Sequence, residues 1–131
     1  MNKIQKWKEE FEYLDENDRL FYIIDLAKHI TSLPAELRTD DRLVKGCMSK
    51  IWIDVGVVDK LVKVYYDSDA MITKGITSII CDCFTGISIE EAKKITKQDI
   101  ELLGIRQLLT AQRRNGLSSL VDNIQKRIEI L

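Results

Sequence analysis

The sequence is poor in histidine, proline and cysteine and lacks the long apolar segments of membrane and secreted proteins. It has one histidine, one proline and three cysteines among 131 residues, and no apolar run approaches the ~20 residues that cross a bilayer as a helix. The segment from Met1 to Phe11 mixes lysine with glutamate and holds no uninterrupted apolar stretch. We therefore expect no membrane span, no secretory signal and a cytoplasmic location.

Charge and cysteine content exclude further classes. Lys and Arg number 20 against 21 Asp and Glu, for a net charge of -1. Because nucleic acid and anionic lipid both attract a clustered basic face, this balance gives no general attraction to either. An odd number of cysteines does not suggest a disulfide framework, and in a reducing compartment we expect free thiols.

The residues that are present suit one soluble domain spanning residues 1–131. Hydrophobic residues make up 45% of the chain, which is enough to bury a core at this length. Ile4, Trp7 and Phe11 recur at helical spacing and predict an opening amphipathic helix. Asp15 to Asp18 supplies capping chemistry for a second helix.

The middle of the chain is rich in β-branched residues. Ile51 to Val58 and Leu61 to Tyr66 flank the short turn Asp59-Lys60 and predict an antiparallel hairpin. A short strand at Leu43-Val44 alongside it would complete a three-stranded antiparallel sheet and leave Cys47 at the tip of a tight loop. Helical spacing returns after the hairpin, so we predict an α+β fold in which helices back a small sheet.

Three shorter signals refine the second half of the chain. Ser88 to Glu91 matches a capping box at a helix start. A short helix is predicted from Asp99 to Leu103, ending at Gly104. The segment Arg113 to Gly116 indicates a break before the last helix, either as a turn with solvated charges or as an anchor for an acidic partner surface.

Cys47 differs from the other cysteines in its surroundings. Gly46 permits a sharp backbone turn and Ser49 is small, while Lys45 and Lys50 lie close in sequence. Nearby positive charge favours the thiolate, which is the nucleophilic form of cysteine. The alternative is a buried loop cysteine that acts as a small hydrophobic residue, and these residues alone leave both open.

The remaining chemistry-bearing residues favour structural roles. Cys83 lies on the apolar stripe of its predicted helix, and Cys81 lies off that stripe, where partial exposure is expected. A C-x-C pair in a helix is a poor chelate because ligands on one face need a spacing of three or four. His29 is expected to end the second helix, where a cation suits the helix dipole.

Three segments together resemble the SufE/CsdE family of sulfur acceptors. Val44 to Ile53 is similar to the active-cysteine motif V-x-G-C-x-S-x-V-W, and Asp67 to Gly75 is similar to D-S-D-A-x-I-x-K-G. Leu109 to Leu117 resembles L-S/T-P-x-R-x-N-G-L. The departures are Ala111 for proline, Lys50 for glutamine and Ala27 for glycine, and none removes a group that the chemistry needs.

The resemblance implies a function as well as a fold. The fold would be the SufE/NifU (IscU-like) fold, and Cys47 would accept persulfide sulfur from a cysteine desulfurase of the SufS/CsdA type. Asp69 and Arg113 match positions at the docking surface, beside Lys45 and Lys50. The pyridoxal phosphate would belong to the desulfurase, so this chain would hold no cofactor and no metal, and the sulfur would pass to a downstream cluster scaffold complex.

Two alternatives and the oligomeric state stay open at this point. An iron–sulfur or zinc scaffold of the same fold would need Cys47, Cys81, Cys83 and His29 to converge. A non-catalytic adaptor would stimulate a desulfurase by contact alone. A homodimer is also left open.

Overall fold

The computed structural model describes residues 3–30, 33–46 and 49–131, in which helices enclose one small sheet. The longer elements follow the order predicted from the sequence. They are α1 (Lys3–Glu12), α2 (Glu16–Lys28), β1 (Ile51–Val58), β2 (Leu61–Ser68), α3 (Met71–Phe84), α4 (Ile89–Lys93), α5 (Lys97–Glu101) and α6 (Ala111–Glu129), with 3-10 turns at Ala35–Leu37 and Arg106–Leu108.

The corner between α1 and α2 is built from capping interactions. The Asp15 carboxylate accepts a hydrogen bond from the Asp18 amide at 2.9 Å, which satisfies a free amide at the start of α2. The Arg19 side chain donates to the carbonyls of Phe11 and Leu14 at 2.8 and 2.9 Å. The predicted helix cap and both predicted helices are confirmed.

The hairpin is confirmed, and both central residues of its turn have positive φ. Asp59 and Lys60 have φ of 53° and 69°, the geometry of a two-residue turn that follows the twist of the strands. Pairing runs from Val58 opposite Leu61 to Ile51 opposite Ser68.

The predicted third strand is not confirmed. Among the described residues the sheet has two strands, and Leu43 contributes one isolated antiparallel bridge to Trp52. The amide of Val44 donates to the carbonyl of Ile51 at 2.8 Å. The pairing does not extend because the chain turns away at Lys45 and Gly46.

Helix α3 is the central element of the core. It packs against α2 and β2 and also contacts α1. At its crossing with α2, a Cβ on Gly75 would lie 2.2 Å from the carbonyl oxygen of Ile23, so the two helices meet without an intervening side chain. Because α3 has neighbours on several sides, Cys81 is fully buried, and the expected partial exposure of Cys81 is wrong.

The helices after α3 begin at polar caps. The Ser88 hydroxyl accepts from the Glu91 amide at 3.1 Å, while the reciprocal capping box is formed by Thr96 and Asp99. Helix α5 covers Lys97–Glu101 instead of the predicted Asp99 to Leu103. Gly104 follows it with φ of 72°.

Helix α6 begins earlier than its sequence suggests. Thr110 caps it by accepting a hydrogen bond from the Arg113 amide, so the segment Arg113 to Gly116 lies within the first turns of the helix and the predicted break is wrong. Ala111 occupies the first helical position, where proline is favoured because its missing amide costs nothing there.

The buried core joins α3, α6 and the inner face of the sheet. Its fully buried large side chains include Ile23, Ile53, Ile79, Ile80, Phe84, Leu120 and Ile124. None of the helices formed by the described residues is both long enough and apolar enough to cross a bilayer.

Candidate functional site

The predicted acceptor, Cys47, lies outside the described residues together with Met48. The site is therefore built from the residues on either side of them, up to Gly46 and from Ser49 onward. We refer to residues 44–50 as the acceptor loop.

The two ends of the acceptor loop are pinned beside each other. Val44 is buried, and its amide donates to the carbonyl of Ile51 at 2.8 Å. One step further out, the Ile53 amide donates to the carbonyl of Arg42 at 2.9 Å. These bonds fix where the loop leaves the fold and where it returns.

The end at which the loop joins β1 is also fixed by hydrogen bonds to the backbone of Lys50. Its amide donates to the Asp69 carboxylate at 2.9 Å. Its carbonyl accepts from the Ser68 hydroxyl at 2.8 Å and from the Asp69 amide at 3.2 Å. Both backbone polar groups of Lys50 are thus paired with the end of β2 and the residue after it, while the Lys50 side chain is exposed.

The leaving end of the acceptor loop lies against α6. Gly46 has φ of 90°, a conformation that favours glycine. A Cβ built on it would lie 2.8 Å from the Ser119 hydroxyl oxygen. Glycine at position 46 therefore provides both the turn and the close approach to the helix.

A small apolar cavity opens beside the acceptor loop at Ser49. Its volume is about 30 Å³, which is enough to admit a water molecule. Side chains from β1, α3 and α6 form its walls. The described lining residues are Ser49, Ile51, Thr73, Ile76, Thr77, Leu109, Arg113, Gly116, Leu117 and Leu120.

Three cationic side chains near the cavity have no ion-pair partner among the described residues. Lys45, Lys50 and Arg113 are exposed, and within the described parts of the chain none of their side chains forms an ion pair. Arg113 and Arg114 lie in the first turn of α6, where the positive end of the helix dipole disfavours a cation. The site is therefore locally positive, although the chain has a net charge of -1.

A buried ion network lies directly behind the Asp69 contact. The Asp67 carboxylate is fully buried and accepts from Arg38 at 2.6 Å, from Lys74 at 3.3 Å and from the amides of Leu33 and Ser68 at 2.8 Å each. Burial alone raises the pKa of Asp67, but these hydrogen bonds together outweigh it, so the pKa lies below its ordinary value.

Three residues that a metal scaffold would need, Cys81, Cys83 and His29, are arranged for other roles. Cys81 and Cys83 are both buried in α3. Burial raises the pKa of the Cys81 thiol well above its ordinary value and that of Cys83 to about 12. His29 caps the C-terminal end of α2, as predicted, and its Nε2 atom lies 3.8 Å from Oδ1 of Asp25. Within residues 3–30, 33–46 and 49–131, no three candidate ligands converge on a metal site.

Sequence reasoning missed several residues of this site. Ser68 and Ser119 were not singled out, although one binds Lys50 and the other faces Gly46. Thr73 and Thr77, one turn apart on α3, line the cavity. Their spacing of four was the available signal, but a polar pair at this spacing is equally typical of a solvated helix face.

Curated relatives are similar to this chain along nearly its whole length. An uncharacterized SufE-like protein of Rhizobium meliloti (strain 1021) is 32% identical, over 98% of this chain and 96% of that protein. The cysteine desulfuration protein SufE of Wigglesworthia glossinidia brevipalpis is 29% identical, over 87% and 81%. The SufE-like protein 1, chloroplastic/mitochondrial, of Arabidopsis thaliana is 30% identical over 95% of this chain, which spans 31% of that protein.

A solved structure shares the fold of this chain, and a family model identifies its family. The solution structure of a hypothetical protein from Thermus thermophilus superposes with a TM-score of 0.82 at 18% identity, covering 99% of this chain and 97% of that one. The model of the SufE domain, described as Fe-S metabolism associated, matches residues 5–128. The chain therefore belongs to the SufE family, whose domain is associated with Fe–S metabolism.

Proposed function

We propose that this chain is a sulfur acceptor that receives sulfane sulfur on Cys47 from a cysteine desulfurase. The observation that supports this most directly is the acceptor loop, whose ends are pinned at Val44 and Lys50 beside a small apolar cavity. A loop whose two ends are fixed beside such a cavity suits a thiol that must meet a partner protein. Family membership supplies the chemistry that such a loop would serve.

The proposed reaction is thiol exchange. The Cys47 thiolate attacks the outer sulfur of a persulfide on the desulfurase and forms a new S–S bond. The bond between the two sulfurs of the desulfurase persulfide breaks, and its electron pair leaves on the thiolate of the desulfurase cysteine. No oxidant is consumed, and no general base is required once the Cys47 thiol has ionised.

Docking would use the charged groups around the acceptor loop. Lys45, Lys50 and Arg113 present exposed positive charge, and guanidinium groups hold carboxylates in a bidentate manner. Asp69 places one carboxylate among them. We therefore expect the desulfurase to meet this face with acidic groups and to bind more weakly as salt screens the contact.

The cavity has a role after transfer. Its walls are mainly apolar and its volume of about 30 Å³ is enough to admit a group the size of a water molecule. A persulfide withdrawn beside these walls would be shielded from reductants in solvent. Docking would then shift an equilibrium between a closed and an open acceptor loop that exists without the partner.

The wider expectations belong to the same proposal. The chain works as a single domain in the cytoplasm and forms a persulfide without pyridoxal phosphate of its own. It then delivers the sulfur to a cluster assembly complex.

The decisive experiment is intact mass spectrometry after incubation with a cysteine desulfurase and cysteine. We expect the mass to rise by one sulfur atom, and fragmentation to place that atom on Cys47. Cys47→Ser should gain nothing, whereas Cys81→Ala should load normally because Cys81 is buried. If Cys47→Ser still stimulates the desulfurase fully, the chain is an adaptor and the proposal fails.

A further inference from the structure

The most exposed aromatic side chains of the described residues lie where α1 meets α2. Tyr13, between the two helices, is 88% exposed, and Phe21, on α2, is 71% exposed. Single exposed apolar residues are common on soluble proteins. The residues around these two rings therefore decide whether they belong to a binding surface.

Carboxylates flank Phe21 on its own face of α2. Residues three or four positions apart share a helix face, which places Asp18 one turn before Phe21 and Asp25 one turn after it. All three residues are exposed. The outer face of α2 thus presents an aromatic ring between two carboxylates, and we refer to Asp18, Phe21 and Asp25 as the acidic aromatic stripe.

The surface around the stripe carries an excess of negative charge. Arg19 is the only cation between Lys8 and Lys28 in the sequence, and its side chain donates to the backbone carbonyls of Phe11 and Leu14. The exposed carboxylates of the same segment are Glu12, Asp15, Glu16, Asp18 and Asp25. Because opposite charges attract, a ligand of this surface should be positively charged.

The stability of α2 accounts for only part of the stripe. Glu16 and Asp18 lie in the first turn, where the positive end of the helix dipole favours carboxylates. Asp25 lies in the last turn, where the dipole disfavours negative charge, and its distance to His29 is 3.8 Å. The dipole also gives no reason for an exposed ring at Phe21. Binding of a ligand explains all three members of the stripe together.

The corner that carries the stripe is fixed by contacts among α1, α2 and α3. The rings of Trp7 and Phe11 are stacked with their centroids 6.0 Å apart, and Tyr22 meets both rings edge-on. The Trp7 indole donates to Asp82 at 2.9 Å, and the Tyr22 hydroxyl donates to Glu10 at 3.1 Å. A surface that is formed in advance loses little conformational entropy when a ligand binds.

From these observations we propose that the acidic aromatic stripe binds a partner protein through a basic segment that contains arginine. Arginine suits both parts of the stripe, because its planar guanidinium group stacks on an aromatic ring and also holds carboxylates in a bidentate manner. This partner differs from the desulfurase, since the face around the acceptor loop is positive and should meet acidic groups. The proposal does not depend on sulfur transfer by Cys47.

The first test is an NMR titration of the labelled protein with a short synthetic peptide of alternating arginine and glycine. We expect saturable shift changes concentrated in residues 12–25. A peptide of alternating lysine and glycine has the same charge but lacks the planar fork, so its Kd should be higher by about two- to fivefold. Absence of saturable binding, or shift changes spread evenly over the surface, would overturn the proposal.

Replacing Phe21 tests the ring separately from the charge. Phe21→Ser leaves the net charge unchanged, and it should fold normally because the ring is exposed and the two residues have similar helix propensities. The Kd of the arginine peptide should rise by about two- to fivefold, while that of the lysine peptide should rise less. The preference for arginine should therefore largely disappear. If the preference persists undiminished in Phe21→Ser, the proposal is wrong.

Tyr65→Ser is the matched control for the loss of an exposed ring. Tyr65 lies on β2 with Lys63 over its ring, at 5.7 Å from the centroid, so both peptides should bind this variant as they bind the native protein. Weakening equal to that in Phe21→Ser would place the binding surface elsewhere and overturn the proposal.

Asp25→Asn tests the carboxylate in the last turn of α2. It should raise the Kd of both peptides by about twofold at low salt, and the difference should fade as salt is raised. Unchanged Kd values at low salt would show that the peptides bind away from the stripe, against the proposal.

Discussion

Two aspartates separated by one residue, Asp67 and Asp69, have opposite environments. Asp67 is fully buried and accepts from two cationic side chains and two backbone amides. Asp69 is exposed, and its carboxylate accepts from the Lys50 amide alone among the described residues. The end of β2 thus places one carboxylate in the interior and the residue just beyond it places the other at the surface.

Because of this difference, the contacts of Asp67 are costly to break, whereas the contact of Asp69 with the acceptor loop is not. Asp67 joins the segment after α2 to the start of α3 through Arg38 and Lys74. Breaking these contacts would leave the Asp67 carboxylate buried without its cationic partners. Asp69 can exchange the Lys50 amide for water or for a partner's donor at little cost. A buried contact at the strand end and an exposed contact to the acceptor loop thus share one short motif.

The largest effect should come from removing the buried carboxylate. We expect Asp67→Ala to lower the free energy of unfolding by about 3–5 kcal/mol, because Arg38 and Lys74 would lose their shared partner. Urea denaturation measures this. Asp69→Ala is the matched control, and equal losses in the two variants would show that the environments do not differ in energy.

The pH dependence of stability should show how much of the contribution of Asp67 comes from its negative charge and how much from the size and shape of its side chain. Its pKa is lowered on folding, so its stabilising contribution is complete above the unfolded pKa of about 3.9 and is lost as the pH falls through the lower folded pKa. The difference in free energy of unfolding between native protein and Asp67→Asn should be constant from about pH 5 to pH 8. It should shrink below about pH 4, and a constant difference down to about pH 2 would contradict a charged Asp67.

A smaller effect is expected at the releasable contact. Asp69→Ala removes the acceptor of the Lys50 amide, a net interaction of about 0.5–1.5 kcal/mol. Hydrogen exchange of the Lys50 amide should therefore accelerate by roughly two- to tenfold, while the amides of α3 exchange as before. If the Lys50 amide exchanges at its native rate in Asp69→Ala, the hydrogen bonds made by Ser68 and Val44 are enough to fix this end of the loop.

The smallest effect should come from a single charge at the cavity rim. Arg113→Ala should raise the Kd for a cysteine desulfurase by about two- to fivefold, and the difference should fade as salt is raised. Lys126→Ala, at the exposed far end of the same helix, is the control and should leave the Kd unchanged. A larger increase in Kd with Lys126→Ala than with Arg113→Ala would show that the docking surface lies away from the acceptor loop.

Local patterns predicted most of the secondary structure correctly. The hairpin follows from β-branched residues around Asp59-Lys60, and α3 follows from isoleucines at helical spacing. These signals are reliable because period and turn chemistry act within a few residues. The three family-like segments also converge on the face that carries the acceptor loop.

The errors arose where tertiary contacts override local preference. Asn115-Gly116 has the composition of a turn, yet the Thr110 cap and the packing of Gly116 against the cavity keep this segment helical. The exposure of Cys81 was predicted from one apolar face of its helix, but α3 is covered by neighbouring elements on several sides. No pattern within α6 alone indicates that Ser119 faces a glycine far earlier in the chain.

The helix crossing at Gly75 has a consequence for the opposite side of α3. Gly75 lies against the backbone of Ile23, and its neighbours Thr73, Ile76 and Thr77 form part of the cavity wall. One methyl group at position 75 would displace α3 away from α2 and toward the cavity. The volume of the cavity is thus set from the far side of the helix, by a residue that does not line the cavity itself.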